Sequence, residues 1–132
     1  MRPGQAALYA RAVFRGEPMP ADWPADFAII TAWNPWGRLV DPEENRRADE
    51  ALRLTILEAG AAPHRITGGE PLAAGHQEPG WAVPVSPDQA LAWGRAFRQD
   101  AVFLVRAGRL SLLLCADGAE IDLGRPFALV GP

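Results

Sequence analysis

Lysine is missing altogether from this chain of 132 residues; all 13 basic side chains are arginine. A lysine Schiff base and a P-loop lysine are thereby excluded, because both need a side-chain amine. Cysteine occurs once, as Cys115, so no disulfide can close within the chain. Its place in the run Leu112-Leu113-Leu114-Cys115 is that of a small core hydrophobe. Serine occurs only as Ser86, at a helix opening, and Ser111, inside an apolar run, so a Ser/His/Asp nucleophile finds no support. No apolar stretch approaches the ~18 residues of a membrane span, and no basic region followed by a signal-length apolar run opens the chain. A cytoplasmic protein without membrane contact is expected. Positive charge is not in excess either, since the formal net charge is -3. That argues against nucleic acid as a partner, because such affinity rests on neutralising phosphates.

What is present is the composition of one packed domain over 1–132, with 48% hydrophobic residues and five tryptophans in segments that look structured. Residues 5–15 are good helix formers stopped by Gly16, and 19–26, with Pro20 and Pro24, form an extended connector, so 1–26 precede a core at 27–123. Residues 27–33 are apolar on both alternating faces, as a central strand requires. Asp41-Pro42-Glu43-Glu44 then opens a helix with an N-cap acceptor, a proline at its first position and Glu44 as a capping-box acid; Gly60 stops it after 59. Its inward stripe is Asn45, Ala48, Leu52, Ile56 and Ala59, while Arg46, Arg47, Asp49, Glu50 and Arg53 fall mostly elsewhere.

Residues 63–67 and 81–85 read as strands separated by a Gly- and Pro-rich loop at 68–80, with Pro84 favouring a sheet edge. Ser86-Pro87-Asp88-Gln89 opens a second helix that ends near Arg98 or Gln99. Residues 101–106 and 109–115 form a hairpin about Ala107-Gly108, and Asp117-Gly118 turns into a strand at 120–123. The order β-α-β-β-α-β, with an N-terminal helix and a C-terminal hairpin extension, predicts an α+β fold. The form it suggests is a ferredoxin-like sandwich with an antiparallel sheet and both helices on one face, other α+β arrangements staying open.

Four places could carry chemistry. At Asn34-Pro35-Trp36-Gly37-Arg38 a strand leads to a helix N-terminus, where free backbone N–H groups suit a polar or anionic ligand; Asn34 could orient it, Trp36 stack on it and Arg38 pair with it. The same residues also read as a plain turn. Asn45, on a core-facing stripe, must either tie down the preceding loop or face a pocket. In His76-Gln77-Glu78-Pro79-Gly80-Trp81, His76 and Glu78 are candidate acid/base groups, or else a loop histidine and a backbone-bonded glutamate. The spacing of His64, His76, Glu70 and Glu78 fits no metal-ligand pattern, so neither metal nor cofactor is expected. Gln99, where the second helix turns into a strand, reads first as a backbone clamp.

The segments Ala28-Ile29-Ile30-Thr31-Ala32-Trp33-Asn34-Pro35-Trp36-Gly37, Glu43-Glu44-Asn45-Arg46-Arg47, His76-Gln77-Glu78-Pro79 and Gly94 through Phe103 together resemble domain of unknown function 3293, a family of short bacterial proteins. The likeness runs over about 27–114. It implies a stand-alone bacterial cytoplasmic domain whose recurring polar residues correspond to Asn34, Glu44, Asn45, Glu78 and Gln99. It implies no reaction.

Two functions follow as expectations. In the first, the Asn34 to Arg38 loop, Asn45 and the His76 to Trp81 segment converge on a small-molecule site, with or without catalysis, including Glu44, Trp81 and Gln99. In the second, a sheet edge or a Trp-bearing surface meets a protein partner or a second copy of the chain, and the same polar residues are buried loop anchors.

Overall fold

Two helix-opening motifs set the helical part of the fold. In a computed structural model describing residues 9–71 and 75–131, they give α1 (Pro42–Glu58) and α2 (Pro87–Ala96). At the start of α1 the Asp41 carboxylate accepts from Glu43 N at 2.8 Å, and at the start of α2 the Ser86 hydroxyl accepts from Gln89 N at 3.1 Å. Glu44 is exposed and makes no capping-box bond, so Asp41 caps α1 without it. The buried stripe of α1 is Asn45, Asp49, Leu52 and Ile56. Asp49 belongs to it because its carboxylate takes both guanidinium nitrogens of Arg65 at 2.9 and 2.7 Å. That guanidinium lies 3.6 Å from the centroid of Trp81, which spreads its charge over an aromatic face.

The strands are β1 (Val13–Arg15), β2 (Phe27–Ile30), β3 (His64–Gly69), β4 (Gln77–Val83), β5 (Ala101–Arg106), β6 (Arg109–Leu114), β7 (Glu120–Pro126) and β8 (Leu129–Val130). They form one sheet in the order β7-β6-β5-β2-β4-β3-β1-β8. Neighbours are antiparallel except β1 and β8, which run parallel. The expected ferredoxin-like sandwich is therefore overturned: the protein is mostly β, an eight-stranded mixed sheet curled into a half-barrel that carries, among the described residues, the two α-helices α1 and α2.

The physical reason lies on the face opposite α1 and α2. Ala28, Ile30, Val83, Val102 and Leu104 pack under α1 and α2, with Leu52, Ile56 and Trp93. The alternate positions Phe14, Phe27, Ile29, Ile66, Ala82 and Val105 are also buried, in a second core. Both α1 and α2 lie on the first face, so the second is covered by further strands and the curl of the sheet over it. Phe14, Phe103, Phe27 and Phe127 close this core by ring contacts at 5.0 to 5.6 Å.

Three further expectations need correction. Of the helix expected at 5–15, residues 5–8 lie outside the described residues; Tyr9 and Ala10 are helical, but Val13–Arg15 is a strand. Both ends of the loop expected at 68–80 are ladder, since β3 and β4 pair from His64↔Ala82 to Gly69↔Gln77. Pro84 does not mark an edge: β4 lies between β2 and β3, and the proline follows its last residue, where no ladder N–H is needed. The Ala107-Gly108 hairpin forms as read, with φ of 51° and 81°.

Cys115 sits in the helix-side core at 6% exposure. Burial pushes its thiol up, against a smaller opposing effect of Arg95, so the thiolate is scarce and the group inert. Gly94 makes room for it, because a Cβ there would come within 2.7 Å of Val102 Cγ1 and 2.9 Å of Cys115 Sγ. Alanine would gain about 1 kcal/mol of helix propensity, while overpacking a filled core costs about 1 to 3 kcal/mol. The contact wins: Gly94→Ala should lower the urea-unfolding free energy, by about 1 kcal/mol net.

Candidate functional site

Where β2 ends, the chain does not enter α1 directly. Asn34 takes a left-handed conformation (φ 48°, ψ 67°), which asparagine tolerates, and Trp36 takes another (φ 53°, ψ 31°), which a bulky side chain does not. Asn45, from the first turns of α1, holds this junction. Its Oδ1 accepts from Asn34 N at 2.8 Å and its Nδ2 donates to Asn34 Oδ1 at 3.0 Å. Both amides are buried, at 6% and 3% exposure, so each depends on the other for its partners. A second tie joins the junction to the end of α2, as Trp36 N donates to Arg98 O at 2.7 Å.

The free end of Asn34 points across to β4. Its Nδ2 donates to Glu78 Oε2 at 3.0 Å, and the same oxygen lies 2.7 Å from His76 Nε2. Asn45, Asn34, Glu78 and His76 thus form one hydrogen-bonded chain running from the core to a half-exposed imidazole. Glu78 Oε1 takes no hydrogen bond from any described residue. Chemically, the carboxylate fixes the imidazole through Nε2 and leaves Nδ1 as the nitrogen able to exchange a proton, the arrangement of an oriented acid/base pair.

This chain ends at a cavity of about 550 Å³ on the concave face of the sheet, a size typical of small-molecule sites. Asn34, His76, Glu78 and Gln99 line it, together with Phe14, Ile29, Ile66 and Phe103 from the second core. Gly80 lets β4 pass close to the end of β2, since a Cβ there would lie 2.7 Å from Ile30 O. Thr31 seals the same corner, its hydroxyl donating to Pro79 O at 2.8 Å.

The expected site residues thus fall into two groups. Asn34, Asn45, His76, Glu78 and Gln99 are brought together; Gln99 Nε2 donates to Trp33 O and Phe97 O, both at 3.2 Å, so it clamps backbone as well as lining the cavity. Trp36, Arg38, Glu44 and Trp81 do not line it. Trp81 is buried beneath Arg65 in the helix-side core, and Glu44 faces solvent at the start of α1. Trp36 is half exposed, with the guanidiniums of Arg38 and Arg98 5.7 and 5.6 Å from its ring. It lines a separate cleft of about 300 Å³ beside Arg95 and Cys115.

Tyr9, Arg11, Ala12, Phe14 and Glu70 were missed as lining residues. The apolar alternation of Ala12 and Phe14 was the available signal, and it was absorbed into a helical reading. Among the described residues no group of three His, Cys, Asp or Glu side chains is placed to hold a metal ion, and no helix is long and apolar enough to cross a membrane.

A family model described as "Protein of unknown function (DUF3293)" matches residues 30–102. No curated protein and no solved structure matches the chain. The matched segment contains Asn34, Asn45, Glu78, Gln99 and most of the walls of the cavity, while β1 and the strands after β5 lie outside it.

The buried amide pair should be costly to break. Asn45→Leu leaves Asn34 N and Asn34 Oδ1 without their core partner, and the expected loss is about 1 to 3 kcal/mol of unfolding free energy by urea denaturation. A value near zero would show that the junction is held by other contacts.

Proposed function

The chain belongs to the DUF3293 family, and we propose that it binds a small molecule with an apolar body and a polar head in the concave cavity of its sheet. One observation carries this reading: a hydrogen-bonded chain anchored in the core delivers Glu78 and His76 to the wall of a cavity whose lining also includes Phe14, Ile29, Ile66 and Phe103. Buried amides spent on orienting one carboxylate are what a site with fixed polar geometry requires. The ligand's apolar body lies against Phe14, Ile29 and Phe103, and its head meets Glu78 and His76. The pocket is set off from the helix N-terminus, where Asp41 already occupies the first free N–H group. If the bound molecule reacts, His76 is the group that moves the proton and Glu78 the group that positions it.

A second reading, a partner-binding module, is favoured by the surface around Trp36. Trp36, with a strained backbone, is half exposed near two arginines that make no ion pair among the described residues, and Leu39, three positions on, is 84% exposed. Strain kept at an exposed aromatic is a mark of use.

Each reading has its own measurement. Nile red, a neutral apolar dye, should gain fluorescence with the folded protein and lose most of that gain with Ala12→Trp, which fills the cavity from its rim. A gain equal in both proteins would place the dye elsewhere and remove the cavity reading. For the second reading in its self-association form, light scattering over a hundredfold concentration range should show a dimer that Trp36→Ala dissociates. A monomer throughout removes that form.

A further inference from the structure

Charge around the cavity is uneven. Among the described residues its lining carries three carboxylates, Glu70, Glu78 and Asp100, against one guanidinium, Arg11, and the imidazole of His76. The other arginines near its rim are already committed. Arg15 donates to Gln77 Oε1 at 2.9 Å and Pro71 O at 2.8 Å, and Arg125 donates to Ala10 O and Ala12 O at 3.0 and 2.6 Å. Arg65 is held by Asp49 on the opposite face. Arg65 is neutralised by Asp49, while Arg15 and Arg125 keep their charge at the rim but spend the N–H groups named above on backbone and amide oxygens and do not line the cavity.

Glu78 is the carboxylate with most to offer. It is held in place through Oε2 by a neutral amide and an imidazole, which leaves Oε1 directed by that grip and unbonded among the described residues. Its side chain is 24% exposed, so its charge is partly withdrawn from solvent and strengthened in its local effect. Around it the cavity presents aromatic rings, with Phe103 packed edge-on against both Phe14 and Tyr9 at 5.0 and 5.8 Å. Ring faces attract cations and are indifferent or repulsive to anions. A positioned carboxylate at one end of an aromatic pocket is the combination that recognises an ammonium group on an apolar body.

On the reading that this cavity is a ligand site, we infer that its ligand class is the small organic cation: a primary ammonium that donates to Glu78 Oε1 and carries an apolar or aromatic body against Phe14 and Phe103. A carboxylate or phosphate ligand placed with its head at Glu78 Oε1 meets that carboxylate as a like charge, and among the described residues Arg11 is the one guanidinium that lines the cavity.

The test uses three probes of nearly one shape: 1-naphthylmethylamine, 1-naphthylmethanol and 1-naphthoic acid, each titrated by calorimetry into the full chain near neutral pH. The amine should bind about 10-fold or more tighter than the alcohol, the increment of one charge-assisted contact, and the acid weakest. Glu78→Gln should bring amine and alcohol to within about 2-fold of each other. If the alcohol or the acid binds as well as the amine to the unaltered chain, with both lost in Ala12→Trp, the cation inference is overturned and the cavity reading stands. Should none of the three bind, the cavity reading falls with it. The wild-type series decides the matter even if Glu78→Gln does not fold.

Discussion

Strand β2 has no residue facing water: Phe27, Ala28, Ile29 and Ile30 are all buried. Because successive side chains of a strand point to opposite faces, this obliges the fold to cover both sides of the sheet at its centre. On one side Ala28 and Ile30 are covered by α1 and α2. On the other, Phe27 and Ile29 have no helix above them among the described residues, and cover comes from the sheet itself, through Phe14 of β1, Phe127 before β8 and the curl between them. A curled sheet of fixed strand spacing cannot draw its inner face fully together with the side chains available. The cavity is the space left between Phe14, Ile29 and Phe103, so it follows from the requirement imposed by β2.

The junction after β2 is costly, and its cost is localised. Asn34 and Trp36 both sit at positive φ, where a non-glycine residue loses about 1 to 2 kcal/mol. Asparagine bears this with little penalty, so most of the strain is at Trp36. Against it stand the two Asn34–Asn45 bonds and the Trp36 N to Arg98 O bond, each worth about 0.5 to 1.5 kcal/mol net and more as unmade bonds of buried groups. The bonds offset the strain because alternatives would orphan two buried amides. That balance fixes the direction of the Asn34 side chain, and with it the position of Glu78.

Much of the helical part was legible in the sequence, because helix starts are written in local chemistry. Asp41-Pro42 and Ser86-Pro87 each supply an acceptor and a proline with its φ already set, and both helices begin there. The convergence of Asn34, Asn45, Glu78 and Gln99 was legible for another reason: a buried amide on a helix stripe has to find a partner, and the nearest unfulfilled polar groups were in the preceding loop. The sheet was less legible. His64–Gly69 and Gln77–Val83 contain three glycines and a proline, residues of poor strand propensity, and pair only because each completes the other's ladder across the sheet. Val13–Arg15 continues an alanine-rich stretch, and three residues cannot announce a strand whose partners lie more than fifty positions away. Trp81 and Trp36 were both expected at the site and neither lines the cavity: Trp81 falls on the helix-side face of β4, and Trp36 lies half exposed in the turn at Pro35–Gly37.

The cavity and the Trp36 surface share one backbone. Asn34 carries the bond to Glu78 on the cavity side, and two residues later Trp36 carries the bond to Arg98 on the other. Gln99, next to Arg98, lines the cavity and clamps Trp33 O, closing a ring of contacts around the junction. Arg98 itself is left-handed (φ 59°), so the end of α2 is as constrained as the residue it binds. Contacts of this kind do not deform singly. Turning Asn34 out of its conformation would release Asn45 and Glu78 together and remove the geometry that holds Trp36 against Arg98. The two surfaces are therefore set by one conformation of three consecutive residues, Asn34, Pro35 and Trp36.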